Sequence, residues 1–134
     1  MGDSFTASSL ERETPEGKSF PNYWAEKGKK LIDENYHRLY GVEDTSAILG
    51  ITPGYFRDSF YAAYSISPKL YLTSVKIDKA CLILREGRMK VSDVAAAVGL
   101  RDRSVFEKTF KKLVGVSPSE YRRLSAAVEK DTRK

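Results

Sequence analysis

Cysteine and histidine are nearly missing from this sequence. The one cysteine, Cys81, excludes an internal disulfide and any cysteine-clustered metal site. The one histidine, His37, has neither a second metal ligand nor a nucleophile spaced to it, so Ser-His-Asp and Cys-His chemistry lack their parts. A glycine-rich phosphate loop is missing too. No metal, no cofactor and no catalytic residue is therefore expected, and the chain does not read as an enzyme. Nothing approaches the run of roughly 18 apolar residues that a membrane span needs. Nor does the start, Met-Gly-Asp-Ser, carry the basic segment followed by an apolar one that marks a secretory signal. The expected setting is the cytoplasm, with no membrane partner.

What is present suits a folded domain. A chain of 134 residues, 41% apolar and 31% charged, is long enough for one ordinary hydrophobic core. Its net charge of +5 is unevenly placed. Residues 1–38 hold 6 basic and 7 acidic side chains, residues 39–84 hold 4 and 4, and residues 85–134 hold 13 and 7. A basic half of this size suits a polyanion, although charge alone is equally well explained by a solvated surface.

The pattern that decides between these lies at residues 91–122, VSDVAAAVGLRDRSVFEKTFKKLVGVSPSEYR. Val94, Ala95 and Val98 recur at helical spacing, and Gly99 supplies the backbone freedom for a sharp exit. After the turn Leu100-Arg101-Asp102-Arg103, the residues Val105, Phe106, Thr109, Phe110 and Leu113 give a second helix with an apolar inner stripe. Gly115 is expected as a left-handed cap. Ser117-Pro118-Ser119-Glu120 then starts a third helix, with Ser117 as N-cap, Pro118 at the first helical position and Glu120 completing a capping box. Two short helices around a glycine turn, the second presenting cations and small polar groups, form the pattern of a helix-turn-helix.

Residues 42–71 repeat it. Gly50 aligns with Gly99 at an offset of 49, while Phe60, Ser67, Pro68 and Tyr71 align with Phe110, Ser117, Pro118 and Tyr121 at an offset of 50, so the second turn has gained one residue.

In chain order, residues 1–20 show no apolar period and carry 4 acids against 2 bases, and are expected to be a disordered lead or linker. A first helix is predicted over 21–38, with Gly28, Leu31 and Ile32 on its apolar stripe and Trp24 packing on the domain. The first helix-turn-helix is placed at about 43–64 and the second at about 92–114. A linker helix, capped by Ser67, is placed at about 68–86, the domain closes near residue 126, and 127–134 is expected to fray. Thr52-Pro53 should open the first recognition helix as N-cap and first helical residue. Thr45 and Ser46 stand where the second unit has Val94 and Ala95, so their buried hydroxyls require backbone partners and the first unit is expected to be the less stable half.

The turn GITPGYFRDSF, the linker YLTSVKIDKA and the ending FKKLVGVSPSEYR resemble the DNA-binding domain of the AraC/XylS family of bacterial transcription regulators, over about residues 24–124. The resemblance implies an all-α fold, with two helix-turn-helix subdomains joined by a long linker helix and about seven helices in all. It also implies base reading by Gly54, Arg57 and Asp58, with Tyr55 near phosphate and Lys76 at a phosphate or between helices. Asp58 departs from the basic residue usual there. In the second unit, Arg103, Ser104, Val105, Glu107 and Lys108 are expected at the groove: Arg103 and Lys108 for guanine or phosphate, Val105 for a thymine methyl and Glu107 for cytosine N4. Lys111 and Lys112 are expected at phosphates.

The function that follows is sequence-specific binding of double-stranded DNA by two recognition helices in successive major grooves, regulating transcription, activation included. RNA polymerase is the further partner the resemblance implies. A single chain covers the site as a monomer, and dimerisation would fall to an upstream domain of a longer regulator. The rival expectation is a helical protein-interaction module with weak, non-specific DNA affinity, since the first unit is neutral and carries Asp58.

Overall fold

The structure is a computed structural model that describes residues 22–132, with side chains through residue 126. The expected lead at 1–20, Pro21 and residues 133–134 lie outside the described residues. Seven α-helices and no strand occur among those described, as an all-α chain requires: α1 (Tyr23–Asn35), α2 (Val42–Leu49), α3 (Pro53–Tyr64), α4 (Pro68–Glu86), α5 (Val91–Ala97), α6 (Arg103–Val114) and α7 (Pro118–Thr132). The first helix stops three residues before Arg38, and a single tight turn, Tyr36–Arg38, takes over. At the other end α7 continues through residues 127–132, where a frayed tail is expected.

The described residues divide into two compact units, one of residues 22–35 and 41–72 and another of residues 36–40 and 73–132. Helix α4 contributes its first residues to the former and the remainder to the latter.

In the first unit, α1 packs on α2 and α3. Ala25, Gly28 and Ile32 form the buried stripe of α1. Gly28 is there for space: a Cβ on it would lie 2.2 Å from Phe56 Cε1, so no side chain fits between α1 and the ring. Thr45 and Ser46 are buried, and each hydroxyl has the backbone partner it needs: Thr45 Oγ1 donates to Gly41 O at 2.7 Å and Ser46 Oγ to Glu43 O at 3.1 Å. The phenol of Tyr71 donates to Asp33 Oδ1 at 2.5 Å, tying α4 to α1. Burial, and then this bond, raise the Tyr71 pKa above its ordinary 10.0.

The second unit closes over Ile77, Ala80, Leu84, Val94, Ala95, Val98, Phe106 and Phe110. Arg122 reaches across from α7 and donates to Leu84 O, in the last turn of α4, and to Met89 O just beyond it. Cys81 packs at the edge of this core, and burial pushes its thiol up from the ordinary value.

The repeat in the sequence is a repeat in packing. Phe56 and Phe60 lie 5.7 Å apart and Phe60 and Tyr71 5.5 Å, against 5.8 Å for Phe106 and Phe110 and 5.6 Å for Phe110 and Tyr121. Gly50 and Gly99 both take positive φ, 80° and 86°, and in each turn the next residue's N–H bonds back to a helix carbonyl: Ile51 to Ser46 at 3.1 Å, Leu100 to Ala95 at 2.9 Å. Ser67 Oγ accepts from Leu70 N and Ser117 Oγ from Glu120 N, both at 3.1 Å. The Glu120 carboxylate of this start accepts from the Arg123 guanidinium, which holds its pKa down.

Candidate nucleic-acid interface

Helix α3 begins at Thr52, whose hydroxyl accepts from Tyr55 N at 3.2 Å, with Pro53 at the first position. Burial of Phe56 and Phe60 fixes which way the helix is turned. The remaining arc carries Gly54, Tyr55, Arg57, Asp58 and Tyr61; Arg57, Asp58 and Tyr61 are exposed, while Gly54 and Tyr55 are half-buried. A Cβ built on Gly54 would stand 3.8 Å from Arg57 Nη2, so the guanidinium passes over the glycine. The four residues expected at the groove from this unit, Gly54, Tyr55, Arg57 and Asp58, therefore share one side of α3 with Tyr61.

Helix α6 is built the same way. Asp102 is its N-cap and accepts from Ser104 N at 2.8 Å and Val105 N at 3.3 Å. Phe106 and Phe110 point inward and leave Arg103, Ser104, Val105, Lys108, Lys111 and Lys112 exposed, with Glu107 half-buried. Val105 and Leu113 are not part of the inner stripe: they are 50% and 42% exposed. Val105 lies about a quarter-turn off the face of the two phenylalanines, whereas Leu113 stands at the end of the helix, one residue before Val114. Val105 thus has an open face, as a methyl contact needs. Glu107 Oε2 lies 2.8 Å from Arg103 Nε, one turn away on the same side. The carboxylate expected at cytosine N4 thus has an exposed arginine partner.

Four cations against one carboxylate line this side of α6, whereas α3 presents Arg57 beside Asp58. The basic excess is thus concentrated on the second reading helix. Lys111 and Lys112 stand in its last turn, near the carbonyl end of the helix dipole.

One expected phosphate contact is not at the surface. Lys76 is 3% exposed, and its Nζ donates to Leu39 O at 2.6 Å and Gly99 O at 2.9 Å. It fills the inter-helix role that the resemblance also allows, because a buried ammonium needs close acceptors and these two carbonyls supply them. Two residues beyond Gly99 stands Arg101, a turn residue for which the sequence suggests no role. Its Cζ lies 4.1 Å from the ring centroid of Tyr40, a side chain that is itself 54% exposed. The only signal for it was that this turn is one residue longer than its counterpart.

Among the described residues no cluster of histidine, cysteine, aspartate or glutamate has the makings of a metal site, and no helix is long and apolar enough to cross a membrane. His37 is exposed, with its ring edge-on to Tyr36.

Comparison with known proteins agrees with this geometry. A family described as a helix-turn-helix domain matches residues 45–124. The melibiose operon regulatory protein of Escherichia coli K12 is 31% identical over 95 residues, which are 71% of this chain and 32% of that protein. The chain thus spans about a third of the length of that relative. Among solved structures, the C-terminal domain of AraT, a response regulator from Geobacillus stearothermophilus, superposes with a TM-score of 0.71 at 26% identity, covering 75% of this chain and 84% of that one. The DNA-binding domain of AdpA, a global transcriptional factor solved with a target DNA, shares the fold with a TM-score of 0.72 at 22% identity, over 77% of this chain and 93% of that one. With two matched turns, two capped and outward-reading helices and this family spanning both, the chain belongs to the AraC-type helix-turn-helix family of transcription regulators.

Proposed function

We propose that this chain reads double-stranded DNA by placing α3 and α6 in successive major grooves, about 10 base pairs apart, as the output part of a bacterial transcription regulator. The observation that carries the proposal is the doubled construction itself: two helices, each N-capped by a side chain and anchored by a buried phenylalanine pair, each turning polar and basic groups outward. Gly54, Arg57 and Asp58 read bases from α3, with Tyr55 beside phosphate. Arg103, Ser104, Val105 and Lys108 read from α6, with Lys111 and Lys112 on phosphates. Glu107 holds the Nε edge of Arg103 and leaves the two terminal nitrogens to pair with O6 and N7 of guanine, so its part is to aim that guanidinium.

A single chain then covers an asymmetric site. Where the duplex must bend to meet both helices, the deformation costs a few kcal/mol, offset by added contacts. Regulation follows from a surface set against RNA polymerase at the nucleoid.

The test is selection of sites from a random duplex library at two salt concentrations. Two preferred blocks about one helical turn apart support the twin-reader proposal. One block restricts reading to the basic second unit. Weak, salt-sensitive binding without any preferred block sinks the proposal in favour of a protein-interaction module.

A further inference from the structure

One residue of the second helix-turn-helix has no counterpart in the first. Ile51 and Leu100 match, since each follows the glycine and bonds back to a helix carbonyl; Thr52 and Asp102 match, since each caps the helix that follows. Arg101, between Leu100 and Asp102, is the residue the second turn has in excess. It is also the residue whose guanidinium lies over Tyr40 at 4.1 Å.

The backbone beneath this pair is tied down by hydrogen bonds. Tyr40 adjoins Leu39, whose carbonyl accepts from the buried Lys76, and the same ammonium holds Gly99 O two residues before Arg101. Space is tight as well: a Cβ on Gly99 would stand 2.6 Å from His37 O. The segment 36–40 and the turn are thereby fastened to one another through one side chain of α4. Both Tyr40 and Arg101 are nevertheless exposed. A guanidinium resting on an aromatic ring keeps its in-plane N–H donors available, and it has less freedom to lose when it binds than an arginine reaching into solvent. The local charge asks for such a group. Asp102 is required as the N-cap of α6, yet its carboxylate repels phosphate at the end of the helix that approaches DNA; an adjacent cation offsets it.

We propose that Arg101, held over Tyr40, is a phosphate-binding site for the DNA backbone at the start of the second recognition helix. Tyr40 is its positioning residue. The site rests on the DNA-reading function proposed above and adds an anchor that carries no base preference.

The experiment is titration of the chain on its selected duplex across a range of salt concentrations, with thermal unfolding recorded for each variant. Arg101→Ala is expected to weaken selected and unrelated duplexes alike, by roughly ten-fold, and to lower the log–log salt slope by about one, with the preferred bases unchanged. Tyr40→Ala is expected to weaken binding by a smaller factor, and only while Arg101 is present; Tyr40→Phe, which keeps the ring, binds as the unaltered chain does. An unchanged slope and affinity in Arg101→Ala overturns the site. A Tyr40→Ala loss that persists undiminished beside Arg101→Ala overturns the tyrosine's part in it. If the unaltered chain binds duplex steeply with salt and only these results fail, the anchor alone falls; if the unaltered chain shows no such binding, the DNA-reading function falls with it.

Discussion

Gly50 and Gly99 occupy the same place in the two turns and have the same backbone conformation, but they are not equivalent. At Gly50 a Cβ would meet nothing within 4 Å, whereas at Gly99 it would collide with His37 O and with Lys76 Nζ, 2.7 Å away. Gly50→Ala should therefore cost only the left-handed backbone penalty, about 1–2 kcal/mol. Gly99→Ala should cost clearly more, roughly 3 kcal/mol or above, because it also dislodges a buried hydrogen-bonded ammonium. Urea unfolding of both variants decides between one cause and two. Arg57→Ala and Arg103→Ala belong to the same scale. Each is expected to lose about 1–3 kcal/mol on the preferred duplex and to relax one base position, as read from repeated site selection. Phenylalanine and glycine spacing made these outward arginines legible in the sequence. The fate of Lys76 was not, because a lysine within a helical period reads as surface until the fold brings the Leu39 and Gly99 carbonyls to it.

Helices α3, α4 and α7 announce their starts through Thr52-Pro53, Ser67-Pro68 and Ser117-Pro118, and the structure begins each at the proline. Helix α6 starts without proline, and in the sequence Asp102 reads as one more polar residue of the turn. Alignment with Thr52 at the offset of the later residues would have identified it as the cap. Since Asp102 satisfies two N–H groups where Thr52 satisfies one, Asp102→Ala should destabilise the domain by about 1–2 kcal/mol and Thr52→Ala by about 1 kcal/mol or less, whereas Asp102→Asn should retain most of the stability. Denaturant midpoints at constant slope would show this, and a change in slope would instead signal that one unit had melted alone.

For the molecule as a whole, Tyr64, Tyr71, Tyr121 and Cys81 all have raised pKa values, with burial the leading cause in each. The unfolded chain therefore gives up these protons first as pH rises. Their contribution is intact below the ordinary values of 9.0 for the thiol and 10.0 for the phenols and is lost on going above them. The melting temperature should hold steady up to about pH 8.5 on their account and fall by about pH 10.5, and Tyr71→Phe should flatten that fall. A steeper alkaline loss in Tyr71→Phe would show that the tyrosine is not its source. At this scale the twofold repeat was legible, because periodicity and glycine placement are local signals. The assignment of residues 36–40 was not: they precede the first helix-turn-helix in the chain, yet they belong with the second unit through contacts that no local pattern encodes.

What turns the two reading helices the same way is the phenylalanine pair on their inner sides, Phe56 and Phe60 against Phe106 and Phe110; on the outer sides the units agree almost nowhere, with Gly54 against Ser104, Tyr55 against Val105, Arg57 against Glu107 and Asp58 against Lys108. Scaffold and script are written on opposite sides of the same helix. Either half of an operator can drift and be followed by exchanges on one helix alone, while the other half goes on being recognised by letters that have not changed.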